Sequence, residues 1–164
     1  MPEFDLSQLN ILLFDQDEES AEKTISSFEN LKATSLFLCD WLEDARSELM
    51  LESRDLIAVD LSTSPICGLE LIKALRHPAL RALSPAAVLA FVEDGQDAAM
   101  MAAVQAGADC ALAKPFTDAQ LAFQVERLMQ NRVPHIKLPD IPLPRVTDLP
   151  GERPHPGQLL RRVN

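Results

Sequence analysis

Basic side chains are scarce in this sequence, and their scarcity argues against several functions. The 164 residues include 15 Lys and Arg against 25 Asp and Glu, which gives a formal net charge of −10. Nucleic acids and anionic membranes are bound mainly through clustered Lys and Arg. We therefore expect no direct DNA binding.

Long apolar runs and closely spaced cysteines are also missing. No uninterrupted apolar stretch reaches the roughly 18 residues of a membrane span, and the N-terminal segment carries Glu3 and Asp5 where a secretory signal would be basic and then apolar. We therefore expect a cytoplasmic protein that does not insert into a membrane. The cysteines Cys39, Cys67 and Cys110 are odd in number and fit no metal-binding spacing, which predicts reduced thiols in the core.

Charge and proline content divide the chain near Asn131. Residues 1–130 hold 9 basic and 22 acidic residues, whereas residues 131–164 hold 6 and 3, and seven of the twelve prolines lie between Pro134 and Pro156. Such a stretch lacks the amide donors that helices and central strands need. The sequence predicts one domain over residues 1–131 and an extended Pro- and Arg-containing tail over 132–164. Docking to an acidic partner, folding back on the acidic domain, nucleotide binding and a solvated linker all stay open for the tail.

Short apolar runs alternate with segments of helical periodicity, a pattern typical of a parallel sheet with crossover helices. The runs lack polar alternation, as strands buried on both faces do. The predicted strands are 10–14, 34–39, 56–60, 87–92 and 110–113. The predicted helices are 18–31, 41–51, 68–76, 97–106 and 117–131. Five such units predict an α/β, flavodoxin-like, doubly wound sheet of order 2-1-3-4-5 with five helices.

Helix-terminus residues support these boundaries. Asp17 is a suitable N-cap for the first helix. Gly107 follows the fourth helix as a left-handed cap would, and Thr117 with Gln120 forms a candidate capping box for the fifth helix.

Three charged residues follow three of the predicted strands: Asp15, Asp60 and Lys114. The carboxyl ends of the strands in such a sheet lie side by side, so two carboxylates and one ammonium would converge on one pocket. The pocket suits Mg²⁺, and an Asp there can act as a nucleophile toward a phosphoryl group. Taken singly, each residue has a simpler interpretation, as a helix cap, a loop residue or a solvated lysine.

Several motifs between residues 9 and 131 together resemble those of the response-regulator receiver family. They are 11–15 (ILLFD), 56–60 (LIAVD), 68–72 (GLELI), 106–109 (AGAD) and 114–116 (KPF). The resemblance implies a signalling module of a two-component phosphorelay and not an enzyme. It implies that Asp60 accepts phosphate from a histidine kinase or phosphotransfer protein and that Lys114 contacts the phosphoryl oxygen. It also implies a cis bond before Pro115.

The resemblance further implies a Mg²⁺ site built from Asp15, Asp60 and the backbone carbonyl of Ser62. The family normally has a second acid after the first strand, but Gln16 stands there in this sequence. An amide oxygen is a poorer Mg²⁺ ligand than a carboxylate. Asp17 and Gln16 are therefore further candidate ligands, and Asp17 is also the predicted helix cap.

The sequence departs from the family at the positions that normally switch between states. Val92 stands where the family has Thr or Ser, and Ala111 stands where it has an aromatic residue, in a chain with no Tyr. Val has the shape of Thr without the hydroxyl. Glu93 and Asp94 follow Val92 and would repel an incoming phosphate.

Two functions from different classes stay open on the sequence. One is a stand-alone receiver that signals to an unknown output protein through the face of the fourth and fifth helices, which could also form a homodimer. The other is an atypical pseudo-receiver that acts as a phosphorylation-independent interaction module. A flavin-binding protein fits poorly, because the loop at 15–19 (DQDEE) is acidic and would repel phosphate.

Overall fold

The structure is a computed structural model that describes residues 5–78 and 86–131, together with the backbone of 161–163. The strands are β1 (Asn10–Phe14), β2 (Ser35–Cys39), β3 (Leu56–Asp60), β4 (Ala87–Glu93), β5 (Cys110–Lys114) and β6 (Arg161–Val163). The helices described are α1 (Glu18–Asn30), α2 (Leu42–Leu51), α3 (Pro65–Arg76), α4 (Asp97–Ala106) and α5 (Asp118–Gln130).

The five strands β1 to β5 are parallel and lie in the order β2-β1-β3-β4-β5. The predicted flavodoxin-like sheet is therefore confirmed. Register places Phe14 beside Val59, Asp60 beside Phe91 and Glu93 beside Lys114. The residues that follow β1, end β3 and end β5 consequently lie at one edge of the sheet.

Two apolar layers cover the sheet, one on each face. One layer joins Ile57, Val59 and Val88 of the strands to α2, α3 and α4. The other joins Leu13 and Phe91 to α1 and α5. Central strand residues alternate between the two layers and are buried in both, which explains their continuous apolar runs.

The helix caps agree with the sequence. The Asp17 side chain accepts a hydrogen bond from the Ser20 amide, and Thr117 with Gln120 forms a complete capping box. Gly107 has a φ of 120° after α4. One boundary differs by three residues: α3 begins at Pro65 and not at position 68, because proline suits the first helical turn, where its missing N–H has no intrahelical partner.

The strand β6 was not predicted. It pairs antiparallel with β2, so that Arg162 lies beside Phe37 in register. This part of the tail thus folds back on the domain edge, one of the alternatives the sequence left open. The rest of the predicted tail, 132–160 and 164, lies outside the described residues. Among the described helices, none is long and apolar enough to cross a membrane.

Candidate functional site

The structure brings Asp15, Asp60 and Lys114 together at the carboxyl edge of the sheet. Both carboxylate side chains are fully buried, and the Lys114 side chain is 19% exposed. The Lys114 ammonium is ion-paired with the Asp60 carboxylate, and it lies 3.9 Å from Asp15 Oδ2. Two acids and one base thus share a single pocket, as the sequence predicted from the strand ends.

Each oxygen of the Asp60 carboxylate has its own partners. Oδ1 accepts the backbone N–H of Ser62 at 2.9 Å and the Ser62 hydroxyl at 2.6 Å. Oδ2 accepts a hydrogen bond from the Lys114 ammonium. Ser62 therefore fixes the orientation of Asp60 from the loop after β3, a role that the sequence analysis did not give to its side chain.

The Asp15 carboxylate is held by the start of α1. Its Oδ1 accepts the Asp17 amide at 3.0 Å, and its Oδ2 accepts the Ser20 hydroxyl at 2.7 Å. The pKa of Asp15 is raised above its usual 3.8, chiefly because the carboxylate is buried and also because the Asp60 charge is near. The hydrogen bonds from the Asp17 amide and the Ser20 hydroxyl and the charge of Lys114 act in the opposite direction. Asp15 is thus a carboxylate whose charge depends on its polar neighbours.

Ser20 is a member of the site that the sequence analysis missed. Its hydroxyl accepts a hydrogen bond from the Lys114 ammonium at 2.6 Å and donates one to Asp15. Ser20 lies in the first turn of α1, which begins directly after the β1 end, and its amide donates to the Asp17 cap. Its position in the sequence could have identified Ser20, because the first helical turn after a strand end lies over the ligand-binding edge of such a sheet.

Aromatic packing beneath the lysine helps to position it. The Phe91 ring centroid is 5.5 Å from Lys114 Nζ, and the Phe116 ring stacks on Phe91 with centroids 5.1 Å apart. An ammonium near an aromatic face is attracted by the ring quadrupole. The Lys114–Pro115 peptide bond is cis.

The switch positions lack polar groups in the structure, as they do in the sequence. Val92 is fully buried, and Ala111 is half-buried with no side chain beyond its methyl group. Glu93 and Asp94 are exposed and line the cleft over the site, whose volume is about 760 Å³. The carboxylates of Asp17 and Glu19 and the ammonium groups of Lys23 and Lys114 line the same cleft, so an anion that enters it meets charges of both signs.

The candidate metal ligands differ in whether their side chains lie in the pocket. Asp15 and Asp60 lie in the pocket, whereas the Asp17 carboxylate caps α1 at 2.7 Å from the Ser20 amide, and Gln16 is half-buried. In the described part of the chain, no group of three or more His, Cys, Asp or Glu side chains has metal-binding geometry. Two carboxylates nevertheless fit the usual Mg²⁺ environment, in which waters and phosphate oxygens complete the octahedron.

A family model for the response regulator receiver domain matches residues 11–126. No curated protein is similar enough to the chain to count as a match. Many solved structures share the fold. A protein described as a response regulator from Chloroflexus aurantiacus is 24% identical, with a TM-score of 0.66 over 74% of this chain and 98% of the other.

Two more solved structures give similar values. A signal receiver domain of a signal transduction histidine kinase from Syntrophus aciditrophicus is 25% identical, with a TM-score of 0.63 over 79% of this chain and 98% of that chain. A two-component response regulator from Clostridium difficile is 22% identical, with a TM-score of 0.62 over 76% and 98% of the two chains.

Proposed function

The chain belongs to the response-regulator receiver domain family, and we propose that it accepts a phosphoryl group on Asp60 and signals through protein contacts. The observation that carries the proposal is the ion pair of Asp60 with Lys114 in a buried pocket beside Asp15. Domains of this family act with histidine kinases or phosphotransfer proteins and are generally signalling modules rather than enzymes.

In the proposed step, a carboxylate oxygen of Asp60 attacks the phosphorus of a phosphohistidine on the partner. The new P–O bond forms as the P–N bond breaks, and the imidazole keeps that electron pair and takes a proton from water. Oδ1 accepts two hydrogen bonds from Ser62 and Oδ2 accepts one from Lys114, so Oδ2 becomes the nucleophile once the ammonium moves away from it. The Lys114 ammonium then turns from Oδ2 toward the phosphoryl oxygens, whose charge it offsets.

Mg²⁺ is the cofactor that the family typically binds at this site. Asp15, Asp60 and the backbone carbonyl of Ser62 would hold it here, and when bound it would offset negative charge on the phosphoryl oxygens. Asp17 is a weaker candidate ligand because its carboxylate already caps α1. Gln16 offers only a neutral amide oxygen. We expect the site to bind Mg²⁺ weakly.

The output partner is proposed to bind the α4 and α5 face, which lies at the sheet edge at β5, with α4 on one side of the sheet and α5 on the other. Met101 and Val104 of α4 and Phe123 of α5 are large apolar side chains that are more than half exposed. Exposed apolar side chains of this kind serve as anchors in protein contacts. A second copy of the chain is the alternative occupant of this face.

A second candidate function is a phosphorylation-independent interaction module. Val92 and Ala111 favour it, because neither side chain can hydrogen-bond a phosphoryl group or change its bonding when Asp60 is modified. In that case the α4 and α5 face would bind its partner equally well with or without phosphate on Asp60.

The test is incubation of the full chain with Mg²⁺ and acetyl phosphate, followed by intact mass. We expect one added phosphoryl group on the unaltered protein and none on Asp60→Asn, which preserves the side-chain shape. In parallel, beryllofluoride should shift backbone resonances of β4, β5 and α4 in the unaltered protein only. An unaltered protein with no adduct and no shift would eliminate the phosphoacceptor function and leave the interaction module.

A further inference from the structure

We propose that the Ser20 hydroxyl is the positioning group that ties Lys114 to Asp15 and aims the ammonium at the phosphoryl site. The inference rests on the proposed function, which it deepens. Ser20 belongs to α1, whereas the three charged residues belong to strand ends, so the group is supplied by a different element of the fold.

The distances make Ser20 the link between the lysine and the second acid. Lys114 Nζ is 2.6 Å from Ser20 Oγ, and Ser20 Oγ is 2.7 Å from Asp15 Oδ2. The direct distance from Lys114 Nζ to Asp15 Oδ2 is 3.9 Å, which is too long for a hydrogen bond. The polar connection between these two charges therefore runs through one hydroxyl.

The direction of each hydrogen bond is determined by chemistry. An ammonium only donates and an ionised carboxylate only accepts, so the Ser20 hydroxyl hydrogen must point to Asp15 and a lone pair must face Lys114. Ser20 is half-buried, and its amide is fixed by the Asp17 cap at 2.7 Å. The hydroxyl is thus held in one orientation.

This arrangement leaves the lysine suited to its proposed role. An ammonium has three N–H donors, of which one goes to Ser20 and one to Asp60. With the Ser20 bond kept, the third donor and the one released from Asp60 during transfer can both reach phosphoryl oxygens. The exposed carboxylates of Glu93 and Asp94 line the same cleft and would be alternative partners for this cation. By holding Lys114 at the base of the cleft, Ser20 would keep it from pairing with them.

The experiment compares Ser20→Ala with Ser20→Thr, which keeps the hydroxyl, and with Ser26→Ala, a control at an exposed position of the same helix. The first readout is the ¹⁵N–¹H signal of the Lys114 ammonium without phosphodonor, which is visible when hydrogen bonds slow its exchange with water. The second is the rate of Asp60 phosphorylation by acetyl phosphate with Mg²⁺.

We expect Ser20→Ala to lose the ammonium signal and to be phosphorylated about 10-fold more slowly, the effect of one hydrogen bond to a charged group. Ser20→Thr and Ser26→Ala should resemble the unaltered protein in both readouts. A rate or an ammonium signal left unchanged by Ser20→Ala, or no recovery in Ser20→Thr, would overturn the positioning role while leaving Asp60 as phosphoacceptor. An unaltered protein that takes no phosphate would overturn both proposals.

Discussion

Replacing Gly107 with alanine is the sharpest test of the packing around α4, because backbone strain and a steric clash would both oppose the added Cβ. Its φ of 120° is a backbone conformation that L side chains rarely adopt, and an added Cβ would lie 2.3 Å from Cγ of Arg76. Arg76 cannot move freely. Its Nε donates to the Gly107 carbonyl at 2.6 Å, and its guanidinium pairs with Asp109 at 2.6 Å.

The expected loss of stability for Gly107→Ala follows from these contacts. Forcing a non-glycine residue into this conformation costs about 1–3 kcal/mol. Displacing Arg76 removes a hydrogen bond to the backbone, which contributes about 1 kcal/mol. The partly exposed ion pair with Asp109 adds about 0.5 kcal/mol. The free energy of unfolding should therefore fall by about 3 kcal/mol.

Gly95 is the matched control. Its φ is also positive, at 79°, but an added Cβ would have no atom within 4 Å. Gly95→Ala should therefore lower the free energy of unfolding by only about 1 kcal/mol. The assay is urea denaturation followed by circular dichroism, repeated in an Arg76→Ala background, where the Gly107→Ala loss should shrink by about 1.5 kcal/mol because both Arg76 contributions are already absent. Equal losses at the two glycines, or no shrinkage without Arg76, would refute the clash.

Two further predictions concern a helix end and a thiol. Thr117→Ala removes the hydroxyl that accepts the Gln120 amide and should lower the free energy of unfolding by about 1 kcal/mol, whereas the same change at exposed Ser26 should leave the urea midpoint nearly unchanged. Burial raises the pKa of the Cys39 thiol from 9.0 to about 12, so at pH 8 alkylation followed by mass spectrometry should find Cys39 far less modified than half-buried Cys67. The unfolded thiol ionises near pH 9.0, so Cys39 should also lower stability progressively above that pH; rapid alkylation of Cys39 in the native protein would contradict its burial.

The local features of the fold could be predicted from the sequence because they depend on neighbours along the chain. The strands Asn10–Phe14 and Leu56–Asp60 were predicted with the bounds the structure has, since the central residues of strands buried on both faces are continuously apolar. The cap at Asp17 depends on an amide only three residues away. The convergence of Asp15, Asp60 and Lys114 also followed from sequence, because each lies at the carboxyl end of a parallel strand in a sheet whose order has few alternatives.

The tertiary structure alone decided which side chains meet within that edge. Ser20 contacts Lys114 across 94 positions of the chain, and no periodicity or cap signal encodes a contact of that range. Likewise, the pairing of β6 with β2 joins segments more than 100 residues apart through backbone groups that carry no side-chain pattern. Sequence periodicity reports burial, which is a local property, whereas hydrogen bonds between elements depend on register and packing, which arise only when the whole sheet is assembled.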